Sequence, residues 1–289
     1  MNKSKITIIS QRFFQSLFVL GLISFLAISC DDINMDGPQN PKGHLNVYLT
    51  DAPGDYEEVN VDVQGLRIHY TPFDSDTVEA DEKDGKWIDL PVDPKVINLL
   101  DLTNGVEELL SSADLDPGHY KELRLILGKD NTVVIDGNTH TLKVPSGQQS
   151  GYKIKFKTDL ESGEELDLIV DFDAARSVHK AGRSGKYILK PVLKAFVEDG
   201  EESDVGSVAG TVLPADSESY VFAIMDGDTV TSTQVDTLGS FLLRGLEEGL
   251  YDLSVQPGSD EYLEGEVNGV LVEDDTETNV GEIMLGENN

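Results

Sequence analysis

The sequence predicts an all-β protein built from two β-sandwich-like domains. Apolar and polar residues alternate with a period of two in many short segments, for example over residues 44–49 and 59–63. This period is typical of half-buried strands. Turn residues separate the segments, and an acidic run over residues 198–204 divides them into two groups. We therefore predict a first domain over residues 43–197, a linker over 198–204 and a second domain over 205–286.

The N-terminus has the features of a secretory leader. Basic residues precede an apolar stretch of about a dozen residues, 17–28, which is shorter than the ~20 residues that a membrane-spanning helix requires. We therefore predict a signal peptide over residues 1–29 that is removed from the mature protein. The stretch 26–30, Leu-Ala-Ile-Ser-Cys, resembles the lipobox of bacterial lipoproteins, although Leu26 lies four rather than three residues before Cys30.

The resemblance implies that Cys30 carries lipid and holds the protein at a membrane. The alternative is a secreted protein with a free thiol at this position. Residues 30–42 are rich in Asn, Pro and Gly and are predicted to form a flexible tether. Asp31 and Asp32 resemble the surface-export signal of lipoproteins in the Bacteroidota, although acids are common throughout the chain. These features predict an extracytoplasmic protein, lipid-anchored to the outer membrane and exposed at the cell surface.

The charge of the chain limits its partners and cofactors. The 54 acidic and 22 basic residues give a formal net charge of −32, which repels phosphate backbones and excludes nucleic acid as a partner. Cys30 is the only cysteine, so the domains contain no disulfide. The acidic loop over residues 74–85 is a place to look for calcium, but its spacing does not match a calcium-loop motif. We predict no metal site and prefer a solvated loop, with calcium as the open alternative.

Three finer features of the first domain carry structural predictions. In residues 96–110 helical spacing competes with strand spacing, with a break near Asn104-Gly105. Asp136-Gly137-Asn138, between two strand-like runs, predicts a hairpin. The lysines that alternate over residues 152–157 and the acids that alternate over 164–171 predict cross-strand ion pairs. A basic binding ladder is the alternative explanation for the lysines.

Asp171 and Asp173 are candidates for acid–base or metal chemistry. Two carboxylates two residues apart on an extended segment point to the same side, a geometry that such chemistry uses. However, Arg176 is near enough to neutralise one of them, and no histidine or nucleophile is linked to them by spacing. We therefore interpret an aspartate here as a cap or brace at a strand end, with a ligand-binding or hydrolytic pair as the alternative.

Four segments, at residues 49–53, 117–125, 144–151 and 171–177, together resemble an uncharacterised domain family of bacterial and archaeal lipoproteins. They include Leu-Thr-Asp-Ala-Pro in the first segment, Pro-Gly-His-Tyr in the second, Val-Pro-Ser-Gly in the third and Asp-Phe-Asp in the fourth. The resemblance covers residues 43–197. It implies an extracytoplasmic, β-rich module, and it supplies no chemistry because the domain has no known function.

The second domain contains seven predicted strands separated by turns, which favours a sandwich. Its segments 236–241 and 245–253 resemble the carboxypeptidase-regulatory-like modules with a prealbumin-type fold, over residues 205–286. That group consists of adaptors on surface receptors and enzymes, and its fold is similar to starch-binding sandwiches. The implied carbohydrate binding is an analogy of fold. Sugar sites stack an exposed aromatic ring on the sugar, and Tyr262 is the aromatic residue that we expect to be exposed.

The predicted function is that of a non-catalytic surface lipoprotein, a binding or adhesion module for a glycan or another envelope protein. Serine-elbow, phosphate-loop and dinucleotide motifs are missing from the sequence, so we predict that the protein is not an enzyme. One alternative is an extracytoplasmic hydrolase that uses Asp171 and Asp173, favoured if they cluster with a histidine in a cleft. Another is a structural component of a surface assembly. An aromatic platform without such a cleft would favour binding.

Overall fold

The computed structural model describes residues 41–52, 54, 56–73, 85–145, 150–181, 185–198 and 205–288. The predicted signal peptide, Cys30, most of the predicted tether, the acidic loop at 74–84 and nearly all of the predicted linker lie outside these residues. The described residues belong to one compact unit. None of their helices is long and apolar enough to cross a membrane.

Strands dominate the described residues, which confirms the predicted all-β, sandwich-like fold. The first group of elements is β1 (Gly43–Ala52), β2 (Glu58–Thr71), β3 (Lys86–Leu90), β4 (Lys95–Asn98), β5 (Glu108–Leu115), β6 (Gly118–Leu127), β7 (Thr132–Ile135), β8 (Asn138–Lys143), β9 (Tyr152–Leu160), β10 (Glu165–Asp173), α1 (Ala174–Ser177), β11 (Val178–Lys180), β12 (Tyr187–Leu189) and β13 (Leu193–Glu198).

These strands form two sheets that share one core. The smaller sheet has the order β13–β10–β1–β5, in which β1 and β10 are parallel. The larger has the order β11–β12–β8–β7–β2–β6–β9, and β3 and β4 also pair with β2. Alternate apolar side chains face inward, as the period of two predicts. They include Leu45, Val47, Leu49, Ile68, Leu123, Leu125, Leu168 and Phe172.

The second group of strands has its own sheets and core. Its strands are β14 (Gly206–Leu213), β15 (Tyr220–Met225), β16 (Asp228–Gln234), β17 (Ser240–Leu246), β18 (Gly249–Gln256), β19 (Gly265–Val272) and β20 (Glu277–Met284). The sheet orders are β17–β14–β20 and β16–β15–β18–β19. The core residues include Val208, Val221, Phe241, Tyr251, Leu253 and Val255. Each of the seven predicted strand segments overlaps one of these strands.

The helical alternative for residues 96–110 is wrong. The segment forms the end of β4, a single 3-10 turn over Leu99–Leu102 and the start of β5. Asn104 and Gly105 have positive φ angles of 56° and 78°, which end any helix at the predicted break. Leu99 is buried while Val106 is 51% exposed, so the apolar residues do not share a face.

The strand pairings confirm one local prediction and overturn another. Asp136 and Gly137, with φ angles of 50° and 69°, form a two-residue turn that joins β7 to β8. The predicted ion pairs between β9 lysines and β10 acids do not form, because the two strands lie in different sheets. β9 pairs with β6, and Lys153 lies 3.4 Å from Glu122 of that strand.

The two groups of strands contact each other at a region that we call the junction, centred on Asn104. The backbone N–H of Asn104 donates to Thr233 Oγ1 at 3.0 Å. Its side-chain Nδ2 donates to the Ser240 carbonyl at 3.1 Å, and its Oδ1 accepts from the Leu242 N–H at 2.8 Å. The side chain of Asn104 therefore forms hydrogen bonds with the backbone of β17, as a neighbouring strand would.

Charged side chains add further contacts at the junction. Arg244 of β17 contacts Glu107, and its Nη2 lies 3.0 Å from Glu198 Oε1. Lys194 of β13 donates to the Val230 carbonyl at 2.8 Å. Both groups of strands are therefore held by directional bonds, which fix their relative orientation more closely than apolar contact alone.

Replacement of Asn104 tests the junction. Asn104→Ala removes two side-chain hydrogen bonds, worth about 1 kcal/mol each, and places alanine at a positive φ, at about 1 kcal/mol more. We expect a loss of about 3 kcal/mol in the free energy of unfolding, measured by guanidinium denaturation. Asn104→Gly loses the same bonds without the backbone penalty, so its loss should be about 2 kcal/mol. Stabilities within 0.5 kcal/mol of the parent for both variants would show that the side chain does not hold the junction.

Candidate functional site

Asp173 is used by the fold as a helix cap. Its Oδ1 accepts a hydrogen bond from the backbone N–H of Arg176 at 2.7 Å, at the N-terminus of α1. The guanidinium of Arg176 also lies 3.6 Å from its Oδ2. The interpretation of an aspartate that caps a strand end is thus confirmed for Asp173.

Asp171 lies on the face of β10 that is turned to the junction. It is a cross-strand partner of Thr50 on one side and of Lys194 on the other. It borders a cavity of about 20 Å³ and is only 9% exposed. Its Oδ1 finds no hydrogen-bond partner within the described part of the chain. Burial, together with the charge of Asp173, raises the pKa of Asp171 to about 6, while Lys194 opposes the rise.

A third carboxylate, that of Asp51, lies at the end of the neighbouring strand β1. Its Oδ1 accepts from the backbone N–H of Ala174 at 2.9 Å. Burial raises the pKa of Asp51 well above its ordinary value, with smaller contributions from Asp171 and Asp173. Within the described ranges no group of three His, Cys, Asp or Glu side chains has a metal-binding arrangement. The carboxylates at this end of the sheet are enclosed by protein, and Asp173 is already occupied as a cap.

The raised pKa of Asp171 predicts the direction in which the free energy of unfolding changes with pH. The folded state holds this proton up to about pH 6, whereas the unfolded state releases it near pH 3.9. The stabilising contribution is therefore complete at low pH and is lost as pH rises through 6, a difference on the order of 3 kcal/mol. We expect Asp171→Asn to be more stable than the parent at pH 7.5, by roughly 1–3 kcal/mol, with the gain disappearing towards pH 4.

The control for this test is Asp228→Asn, which makes the same charge change at an exposed position of β16. Urea denaturation of the three proteins between pH 4 and pH 8 measures the effect. A parallel pH dependence of Asp171→Asn and the parent would show that Asp171 does not hold a proton in the folded state.

Tyr262 is half-buried rather than exposed, contrary to the expectation from sequence. Its ring packs against the core of the second group of strands, and its hydroxyl donates to Asp216 Oδ1 at 3.1 Å. That hydrogen bond is the main reason for the raised pKa of Tyr262. The backbone of Tyr262 also forms an isolated bridge with Glu287.

The structure reveals a second polar surface, which sequence reasoning missed, on the outer side of the larger sheet. We call it the Trp87 face. Cross-strand pairing between β3, β2, β6 and β9 aligns its side chains in two adjacent rows. The first row is Asp89, Arg67, Arg124 and Lys153, and the second is Trp87, His69, Glu122 and Lys155.

Trp87 lies among the cations of this face. The guanidinium carbon of Arg124 is 4.0 Å from the centroid of the indole, and that of Arg67 is 5.9 Å away. The imidazole of His69 meets the indole edge-on, with 5.1 Å between ring centroids. Such contacts between cations and an aromatic ring are attractive. They hold the indole across the sheet while part of its surface remains exposed.

Carboxylates partly compensate the cations of the Trp87 face. Arg67 Nε lies 2.6 Å from Asp89 Oδ1 at the edge of the sheet. Glu122 is shared, with Arg124 Nε at 3.3 Å and Lys153 Nζ at 3.4 Å from its two oxygens. Among the residues of the two rows, one carboxylate therefore contacts two cations.

A groove of about 500 Å³ begins beyond the last strand of this face. Lys155 and Lys157 of β9 line one wall. Glu247, Glu248 and Asp274 of the second group line the opposite wall. Lysines of β9 and carboxylates of the second group of strands therefore line the same groove.

Gly85 explains why the chain can return so close to His69. A Cβ at this position would lie 2.2 Å from His69 Cε1 and 2.6 Å from the Tyr70 carbonyl. Both distances are far below van der Waals contact. The absence of a side chain at Gly85 thus permits the packing that positions His69 beside Trp87.

We expect Gly85→Ala to displace β3 and to cost roughly 1–3 kcal/mol, the usual range for overpacking. Trp87 is the only tryptophan, so its emission spectrum should shift in the variant. Gly65→Ala is the matched control, because a Cβ there lies 3.6 Å from Ile126 in ordinary contact. An unchanged emission spectrum in Gly85→Ala, together with unchanged stability, would contradict this account of the Trp87 face.

Comparison with known proteins identifies the family to which the chain belongs. The model of the family described as Domain of unknown function (DUF4382) matches residues 42–191, just over half of the chain, and this confirms that the first predicted domain is a domain of unknown function. No curated protein matches the chain.

Several solved structures are similar at low identity. The Bacillus anthracis TIE protein is 11% identical, with 85% of this chain and 34% of that chain covered and a TM-score of 0.24. This chain therefore spans about a third of the TIE structure.

Two pilins are similar at the same level. The shaft pilin SpaA from Lactobacillus rhamnosus GG is 10% identical, with 85% and 98% covered and a TM-score of 0.25. The minor pilin GBS52 of Streptococcus agalactiae is 11% identical, with 84% and 97% covered and a TM-score of 0.21. Likenesses of this size carry no functional argument. The match over residues 42–191 does decide the family, and the chain belongs to the family of the domain of unknown function DUF4382.

Proposed function

We propose that the protein is a non-catalytic surface module, anchored through Cys30, that binds a glycan on the Trp87 face. The observation that carries the proposal is the half-buried indole of Trp87 set among Arg67, Arg124 and His69 on a regular sheet. Ligand sites commonly combine an aromatic surface with a few well-placed polar groups, and this face has that combination.

The chemistry of the face suits a sugar ring. An indole presents an apolar surface to the C–H groups of a pyranose, and guanidinium and ammonium groups donate hydrogen bonds to its hydroxyls. The cations stand on β2, β6 and β9, three hydrogen-bonded strands of one sheet. Their backbone positions are therefore fixed before a ligand arrives, which lowers the entropic cost of binding.

A structural role in a surface assembly is the second candidate, and the junction favours it. Asn104, Arg244 and Lys194 bond the two groups of strands to each other. These bonds hold the two groups of strands in a fixed relative orientation, as a structural component of an assembly requires. The two proposals are compatible, because a rigid carrier would also present the Trp87 face in a constant orientation.

The hydrolase alternative receives less support from the geometry. Asp173 is held by the Arg176 backbone, and Asp171 is enclosed at the junction. A hydrolytic pair needs room for a substrate beside both carboxylates, whereas the adjoining cavity measures about 20 Å³.

A glycan array followed by fluorescence titration tests the binding proposal. Trp87 is the sole tryptophan, so a glycan that binds on its face should change the intrinsic emission in a saturable way without any label. Trp87→Ala should weaken binding of the array hits, measured by calorimetry, about tenfold or more, since an aromatic contact and its buried area are lost.

Tyr262→Ala is the matched control, because it removes a half-buried aromatic ring from the second group of strands. We expect it to bind as the parent does. Circular dichroism should show that both variants are folded. Array hits that survive Trp87→Ala unchanged, or an array without hits, would refute the proposal.

A further inference from the structure

We infer that Asn104 is a site of spontaneous deamidation that the junction controls, and that its conversion to aspartate weakens the junction. Deamidation is fastest where glycine follows asparagine, because a residue without a side chain permits close approach to its backbone nitrogen. The sequence contains two such pairs, Asn104-Gly105 and Asn268-Gly269. Valine follows both pairs, so the two sites have similar local chemistry and differ in their surroundings in the fold.

The reaction uses atoms of the chain and one water molecule. The backbone nitrogen of Gly105 bonds to Cγ of Asn104, the Cγ–Nδ2 bond breaks, and Nδ2 leaves as ammonia with the proton of the Gly105 amide. Water then opens the cyclic imide at either carbonyl carbon, which gives aspartate or isoaspartate. Both products carry a carboxylate in place of a neutral amide, so the donor Nδ2 is lost and one negative charge is gained.

The junction restrains both groups that react. Asn104 and Gly105 are the central residues of a tight turn, which is closed by the Val106 N–H donating to the Thr103 carbonyl at 3.2 Å. A Cβ on Gly105 would lie 3.2 Å from Leu242 Cδ2, so the turn packs against β17. The amide of Asn104 is bonded to β17 through both Nδ2 and Oδ1. Rotation of its Cγ onto the Gly105 nitrogen therefore requires these bonds to open.

The second Asn-Gly pair is held by bonds within its own sheet. Asn268 is exposed on β19, and its Nδ2 contacts Glu266 two residues earlier on that strand. The Gly269 N–H donates to Asp252 Oδ1 of β18 at 2.9 Å. Neither bond crosses the junction. A change at the junction should therefore alter the reaction of Asn104 and leave Asn268 as an internal reference.

The products of the reaction fit the junction poorly. A carboxylate at Asn104 would face the carbonyl oxygen of Ser240, which accepts from Nδ2 at 3.1 Å. Two oxygens without a proton between them repel each other, and an acceptor that loses its donor at an interface carries a free-energy cost. Isoaspartate also lengthens the backbone of the turn, whose N–H at Asn104 donates to Thr233. Deamidation thus removes contacts that hold the two groups of strands together.

Peptide mapping by mass spectrometry measures the reaction at each site while the mature protein is incubated at pH 8 and 37 °C. In guanidinium chloride the two sites should react at similar rates, because the fold is lost. In the folded protein we expect Asn104 to react about tenfold more slowly than in guanidinium, since local opening must precede the attack. Reaction of Asn104 at equal rates in the folded and the unfolded protein would overturn the inference.

A variant that loosens the junction tests its control of the reaction. Arg244→Gln removes the two ion pairs of Arg244 at the junction and should raise the rate at Asn104 about threefold or more, because the junction opens more often. Lys143→Gln is the matched control, since it makes the same charge change at an exposed position of β8, and its rates should equal those of the parent. Folded Arg244→Gln with a parental rate at Asn104, or with an equal rise at Asn268, would overturn control by the junction.

Asn104→Asp tests the effect of the product, because it makes the same exchange of an amide for a carboxylate. We expect its midpoint of guanidinium denaturation to lie below that of the parent. Asn268→Asp is the matched control, with the identical exchange at an exposed position of β19, and its midpoint should shift less. Equal midpoints for the two variants would contradict the conclusion that deamidation weakens the junction.

Discussion

The parallel pairing of β1 with β10 is the constraint on which the rest of the structure depends. It joins residues about 120 positions apart in the sequence and lies in the middle of the smaller sheet. One face of the pair fills the first core, with Leu49 and Phe172 fully buried. The other face is turned to the junction. Strands of parallel pairs are typically covered on both faces, and this pair follows that rule with a polar second face.

The burial of both faces of the β1–β10 pair explains the unusual environment of Asp171. Asp171 occupies a strand position that alternation would assign to solvent, and the second group of strands covers it. A carboxyl group without a full set of partners in such a place binds its proton more tightly, hence the raised pKa of Asp171. The paired carboxylates that suggest acid–base chemistry in the sequence are therefore a consequence of packing.

The sequence predicts well which side chains of a strand face the core, and it predicts poorly which strands pair with each other. Alternation located the strands, and the Asp136-Gly137 turn located a hairpin, because both signals are local. The partners of β9 and β10 are decided by pairings across long stretches of chain, which a period of two does not specify. For the same reason Trp87 carried no signal. Its neighbours Arg67 and Arg124 come from β2 and β6, and only the register brings the three together.

The charged side chains of the two polar faces are paired in different ways. At the junction Arg244 is matched with Glu107 and Glu198, and Asn104 satisfies the backbone of β17. Arg244 is largely covered, and its pairing avoids the high free-energy cost of an unpaired buried charge. On the Trp87 face like charges stand opposite each other and one carboxylate is shared by two cations. Glu122 is itself buried, so its carboxylate is held between the two cations that it contacts. At the junction the chain itself pairs Arg244 and Lys194 and leaves Asp171 with one oxygen that has no hydrogen-bond partner among the described residues, whereas on the Trp87 face two cations share the carboxylate of Glu122.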